Sequence, residues 1–84
     1  MSIYEKYDRW IAEYVKSQDG FVRGKCKEAC LAMIEQFPEL KLCAGLVEID
    51  DRKEQHWWCR TSGGNIIDPT VSQFPVPPWY EELD

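Results

Sequence analysis

Hydrophobic positions in the first seventeen residues recur at steps of three and four. Ile3, Tyr4, Tyr7, Trp10, Ile11, Tyr14 and Val15 form one stripe, and Glu5, Lys6, Asp8, Arg9, Glu13 and Lys16 fill the opposite side. That period predicts an amphipathic helix over about residues 3–17. Ser2 followed by Glu5 has capping-box spacing, and Gln18-Asp19-Gly20 supplies the stop. A loop containing Gly20 and Gly24 follows. A second helix is predicted over about 25–37, with Cys26, Ala29, Cys30, Met33, Ile34 and Phe37 on one face and Pro38 ending it.

The pattern then shortens to a period of two. Leu40, Leu42 and Ala44 alternate in one phase, Val47 and Ile49 in the other, with Gly45 at the break. This predicts a strand over 40–49 with a bulge at Gly45. Asp50 to Gln55 reads as a charged turn. Strands are predicted at 56–61 and 65–68 around Ser62-Gly63-Gly64. Pro75, Pro77 and Pro78 make Gln73–Pro78 extended. Trp79 and Tyr80 are expected to fold back onto the domain, because an exposed pair of this size is unfavourable. Two helices followed by three strands predict an α+β fold in which helix 25–37 crosses one face of a small antiparallel sheet. The first helix covers another surface.

A chain of 84 residues supports one domain and one modest core, here enriched by 13% aromatic residues. Its net charge of −5 argues against non-specific nucleic-acid binding. No apolar run has the length of a membrane span. No export-signal pattern opens the chain, so a cytoplasmic location with reduced thiols is expected. The charge is uneven. Arg23, Lys25 and Lys27 surround Cys26, while Glu81, Glu82 and Asp84 make the segment 75–84 a proline-rich acidic tail.

Candidate chemistry begins with Cys26. A thiol attacks as the thiolate, and a helix N-terminus flanked by cations favours an anion. The plainer reading is a small buried cysteine beside surface lysines. His56 is the only histidine. A base that serves a thiol needs one nitrogen towards sulfur and the other held by an acceptor. A hairpin centred on Ser62 pairs Arg60 with Gly64, Trp58 with Ile66 and His56 with Asp68. Paired residues share a face, so imidazole and carboxylate meet. Alone, Asp68-Pro69-Thr70 also reads as a turn in which Asp68 caps local backbone.

Gly24-Lys25-Cys26, His56-Trp57-Trp58, and Gly64-Asn65-Ile66-Ile67-Asp68-Pro69-Thr70 with Gln73-Phe74 carry a resemblance. Over about residues 24–75 the chain resembles the papain-like/transglutaminase-like thiol enzymes, most of all their compact bacterial and phage branches. The resemblance implies Cys26 as nucleophile, His56 as general base and then acid, and Asp68 as the orienting carboxylate. It implies a single papain-like domain spanning 1–84.

The reaction expected is cysteine-dependent acyl transfer on an amide, without metal or cofactor, by a peptidase, amidase or protein-glutamine deamidase. Its substrate is a protein or peptide, with acidic character if the cationic island recognises it. Gln18 and Lys27, the latter through its backbone N–H, are the candidate oxyanion donors. Arg23, Lys25, Trp57 and Trp58 are the expected substrate-lining residues. Two other classes fit parts of the sequence. Cys26, Cys30, His56 and Cys59 form a nominal zinc set, but His56 and Cys59 point to opposite faces of a strand. A small acidic binding module would occupy a partner protein, with Pro75–Asp84 as the ligand segment.

Overall fold

The computed structural model describes residues 4–83. It is α+β: two helices against a four-stranded antiparallel sheet. Helix α1 spans Glu5–Ser17 and α2 spans Cys26–Gln36; strands β1 (Lys41–Ile49), β2 (Arg52–Arg60), β3 (Ile66–Ile67) and β4 (Trp79–Glu82) follow, with a 3-10 turn at Val71–Gln73. The sheet order is β3-β2-β1-β4. The expected Ser2 cap lies outside the described residues.

Both faces of the sheet are covered, by different parts of the chain. On one face, Tyr7 of α1 and Cys30 and Met33 of α2 pack with Leu40, Cys59 and Ile67. On the other, Cys43, Val47, Ile49 and Trp58 pack with Phe74, and Tyr80 leans on them. The strand order explains the second core. β3 and β4 lie at opposite edges, so residues 68–78 must cross a face of the sheet to connect them. The wholly buried Pro69 and Thr70 begin that crossing.

Three expectations about the strands are corrected. The β1–β2 register is unbroken from Lys41–Arg60 to Ile49–Arg52, so Gly45 carries no bulge. The change of hydrophobic phase reflects β1 being covered on both sides: Leu42 joins the helix-side core, Cys43 and Val47 the other. Gly45 is required for a different reason. A Cβ there would collide with the Glu81 carbonyl oxygen and lie 2.8 Å from the Trp58 ring.

The charged stretch 50–55 is a turn only at Asp50-Asp51, whose φ values of 49° and 65° match the two left-handed positions of a tight hairpin. Arg52, Lys53 and Gln55 are exposed strand residues, and Lys53 stands across from Glu48. Polar residues on an exposed ribbon are compatible with strand pairing, so polarity alone misplaced the turn. The C-terminal segment, in turn, is no loose tail. β4 pairs with β1 from Glu48–Trp79 to Gly45–Glu82. Alternation then buries part of Tyr80 and leaves Trp79 80% exposed, so only one of the two aromatics folds inward.

Helix α1 is tied down by Glu39, just before β1. Its carboxylate accepts from Lys6 Nζ at 2.8 Å and from the Tyr7 hydroxyl at 2.6 Å. The Lys6 ammonium first, then the Tyr7 hydroxyl, hold this carboxyl at about 2. The sign follows from linkage. The contact contributes fully above the unfolded value of about 4.3 and is lost as pH falls towards 2. Glu39→Gln should therefore speed hydrogen exchange of the α1 amides at neutral pH while leaving the β1–β2 amides protected.

Candidate active site

His56 and Asp68 meet, though not by the expected pairing. The observed partners are Arg60–Ile66 and Cys59–Ile67. The hairpin is thus centred on Gly63, two residues of register away from the predicted ladder. The Thr61 N–H donates to the Asn65 carbonyl and the Gly64 N–H to the Thr61 carbonyl, each at 2.9 Å. The Thr61 hydroxyl accepts from the Asn65 N–H at 3.1 Å. Gly64, at φ +88°, supplies the left-handed residue that closes such a three-residue loop. A shift of two preserves the face on which each side chain lies. Asp68, just past the end of β3, therefore reaches His56 diagonally.

The contact is buried and fully bonded on the acid side. His56 Nε2 lies 2.8 Å from Asp68 Oδ2, and their side chains are 2% and 3% exposed. The Tyr80 hydroxyl donates to the same oxygen at 2.7 Å. Oδ1 accepts from the Thr70 N–H at 3.0 Å and the Thr70 hydroxyl at 3.3 Å. Gln73 Nε2 in turn donates to the Thr70 hydroxyl at 3.0 Å. Both readings of Asp68-Pro69-Thr70 thus hold at once: one oxygen caps the local turn, and the other binds the imidazole.

An ionised carboxylate only accepts, so this network assigns the proton to Nε2 in the neutral ring and the lone pair to Nδ1. Nδ1 has no hydrogen-bond partner among the described residues. Phe74 meets the ring edge-on at 5.0 Å, and Trp58 stacks at 6.1 Å. Burial first, then the neighbouring Asp68 carboxylate, push the Tyr80 phenol well above its usual range, so it remains a donor.

Cys26 is the first residue of α2 and is half-buried. The first-turn N–H groups of a helix, here including those of Cys26 and Lys27, have no intrahelical acceptor. Arg23 lies 3.9 Å from Glu54, and Lys27 Nζ sits 4.9 Å from the centre of the Trp57 ring. The residues bracketing Cys26 thus touch the residues bracketing His56. The thiol and imidazole are nevertheless not hydrogen-bonded to each other. Trp57 and Cys59 face the helices, so by alternation the His56 side chain lies on the opposite side of β2, with Trp58.

The remaining candidates separate. Lys25 Nζ donates to Gln18 Oε1, and the Gln18 amide nitrogen lies 3.3 Å from the Ser17 hydroxyl. Gln18 is therefore engaged at the end of α1 rather than held free beside the thiol. All three cations of the island have partners. Trp57 is half-buried under Lys27, whereas Trp58 is 0% exposed and packs rather than lines a surface. Cys30, hydrogen-bonded to Cys59 and then buried, is pushed far above the usual thiol range, as a core residue would be. No three His, Cys, Asp or Glu side chains converge on a metal-sized point among the described residues. No helix among them is long and apolar enough to cross a membrane.

Two grooves adjoin the network. The larger, about 620 Å³ and lined by Ile11, Val15, Ile66 and Val71, borders Asp68 but neither His56 nor Cys26. The smaller, about 240 Å³, is bounded by Ala44, Gly45, Gln55, His56, Trp57 and Leu83. It runs along the strand at His56, but its side chains from Ala44, Gln55 and Trp57 lie on the helix side of the sheet, opposite the imidazole. The sequence reading missed Tyr80, Thr70 and Gln73 as partners of the carboxylate. Thr70 was detectable, since Asp followed two residues later by a donor is the spacing of an Asx turn. Tyr80 was not, because its place depends on β4 joining the sheet. Comparison with protein-family models, curated proteins and solved structures finds no match.

Proposed function

We propose that this chain is a papain-like thiol enzyme that transfers an acyl group from an amide through Cys26, His56 and Asp68. One observation carries the reading: a buried histidine whose Nε2 is fixed by a carboxylate keeps its Nδ1 unpartnered, with the turn bearing the thiol against its own strand. A histidine serving packing alone does not need that division of its two nitrogens.

In the reaction the Cys26 thiol loses its proton to Nδ1, and sulfur attacks the amide carbonyl carbon. The carbon–nitrogen bond breaks as the imidazolium protonates the leaving amine. Water then resolves the thioester to a carboxylic acid and regenerates the thiol. First-turn N–H groups of α2 are available to the oxyanion, a more suitable source than the engaged Gln18 side chain. The groove lined by Ala44, Gln55, Trp57 and Leu83, on the side of the sheet that α2 covers, offers room for one small side chain of a peptide substrate. The step requires sulfur at the start of α2 to reach Nδ1 from the helix side of β2, and this is the requirement on which the proposal stands or falls.

The second reading is a binding module in which the His56–Asp68–Tyr80 network is structural. It is favoured by the imidazole lying across β2 from α2 and by the missing thiol–imidazole bond. Alkylation by iodoacetamide separates the two. The enzyme reading expects selective modification of Cys26 near neutral pH, slowed roughly 100-fold by His56→Gln, the lower end of the range for a lost general base. Slow modification of Cys26 that is indifferent to His56 would remove the enzyme reading and leave the binding module.

A further inference from the structure

We infer that Tyr80 is a positioning residue: its hydroxyl shares the Asp68 oxygen that binds His56, and so sets how strongly the carboxylate holds the imidazole. The consequence for turnover rests on the thiol-enzyme reading above; the geometry does not. Asp68 receives four donors, two on each oxygen. A carboxylate has about four lone-pair sites, so the imidazole has no spare acceptor to move to. Every added donor disperses the negative charge, and the phenol does so on the oxygen that the imidazole uses. Without it, Oδ2 is a stronger acceptor and the protonated ring is favoured.

Tyr80 is also fixed independently of Asp68. It stands opposite Val47 in the β1–β4 ladder, and its ring meets Trp58 edge-on at 5.0 Å. The last strand is therefore part of the site, through one oxygen atom.

The other charged groups around His56 are already paired. Glu54, two residues away on the same face of β2, has Arg23 at 3.9 Å. Glu82 of β4, opposite Gly45, has Arg60 at 2.9 Å. Of the titratable groups, Asp68 and Tyr80 are hydrogen-bonded to the ring or its carboxylate, and the Cys30 and Cys59 thiols of the helix-side core lie within the field of Asp68.

The test is the titration of the single imidazole, followed by NMR in the full chain. Tyr80→Phe should raise its midpoint by about half a unit, roughly a threefold change in the protonation constant. Replacing Tyr80 with 3-fluorotyrosine, a stronger donor, should lower the midpoint. The second variant retains the hydroxyl and so decides the matter if Tyr80→Phe fails to fold. Opposite shifts support the assignment; a midpoint unmoved in the folded variants overturns it. Thiol alkylation indifferent to His56 would defeat the enzyme reading without changing this outcome, so the two failures are read separately.

Discussion

Asp68→Ala is expected to destabilise the fold by about 3–5 kcal/mol, the range for removing one member of a buried charged or hydrogen-bonded group. The substitution strands donors from three residues at once: the ring of His56, the hydroxyl of Tyr80, and both the N–H and hydroxyl of Thr70. His56 and Thr70 are 2% and 0% exposed, so water cannot readily replace the lost acceptor. A domain of this length has a total stability of about 4–13 kcal/mol, so the change consumes much of it. Thermal unfolding should fall by roughly 20 °C. Asp68→Asn keeps one acceptor oxygen and should lose less than half as much. If alanine and asparagine variants both melt within a few degrees of the parent, the network is not holding the crossing segment in place.

Gly45→Val is the second large effect. Its Cβ would strike the backbone carbonyl of Glu81 and crowd Trp58, which is fully buried. Backbone cannot rotate away as a flexible side chain can, so β4 must separate from β1. Overpacking typically costs 1–3 kcal/mol, and losing part of a strand places this case at about 3 kcal/mol or more. The signature is specific: amides of β4 should lose hydrogen-exchange protection while those of the β1–β2 hairpin keep theirs. Gly45→Ala, with the same first atom, should show the same pattern. Uniform protection across the sheet would contradict the close approach.

The helices were legible because their signal is local. A stripe at steps of three and four, closed by glycine or proline, describes α1 and α2 within two residues at each end. The central strands were legible as strands, but not their partners. The segment 52–55 is polar and became strand because a two-residue turn at Asp50-Asp51 closes the hairpin earlier than charge density suggested. The Pro-rich segment was read as a tail because strand pairing over many intervening residues leaves no periodic mark on a four-residue stretch.

The site divides the same way. His56 and Asp68 were found from side-chain alternation, which survives an error of two in register. The placement of Cys26 relative to the ring depends on how α2 crosses the sheet, and alternation says nothing of that. The expectation that Trp58 lines a surface failed because Phe74 and Tyr80 cover it, and both reach it only through the long crossing from β3 to β4.

The pairing of Gly45 with Glu82 has a consequence for biosynthesis. A polypeptide leaves the ribosome N-terminus first, and both helices, the β1–β2 hairpin and the dyad residues emerge before Tyr80. A nascent chain halted anywhere between Thr70 and Trp79 already contains His56 and Asp68 but has nothing to fill the fourth bond to the carboxylate. Maturation of the pocket therefore waits on translation of the last strand, however early the rest of the fold condenses.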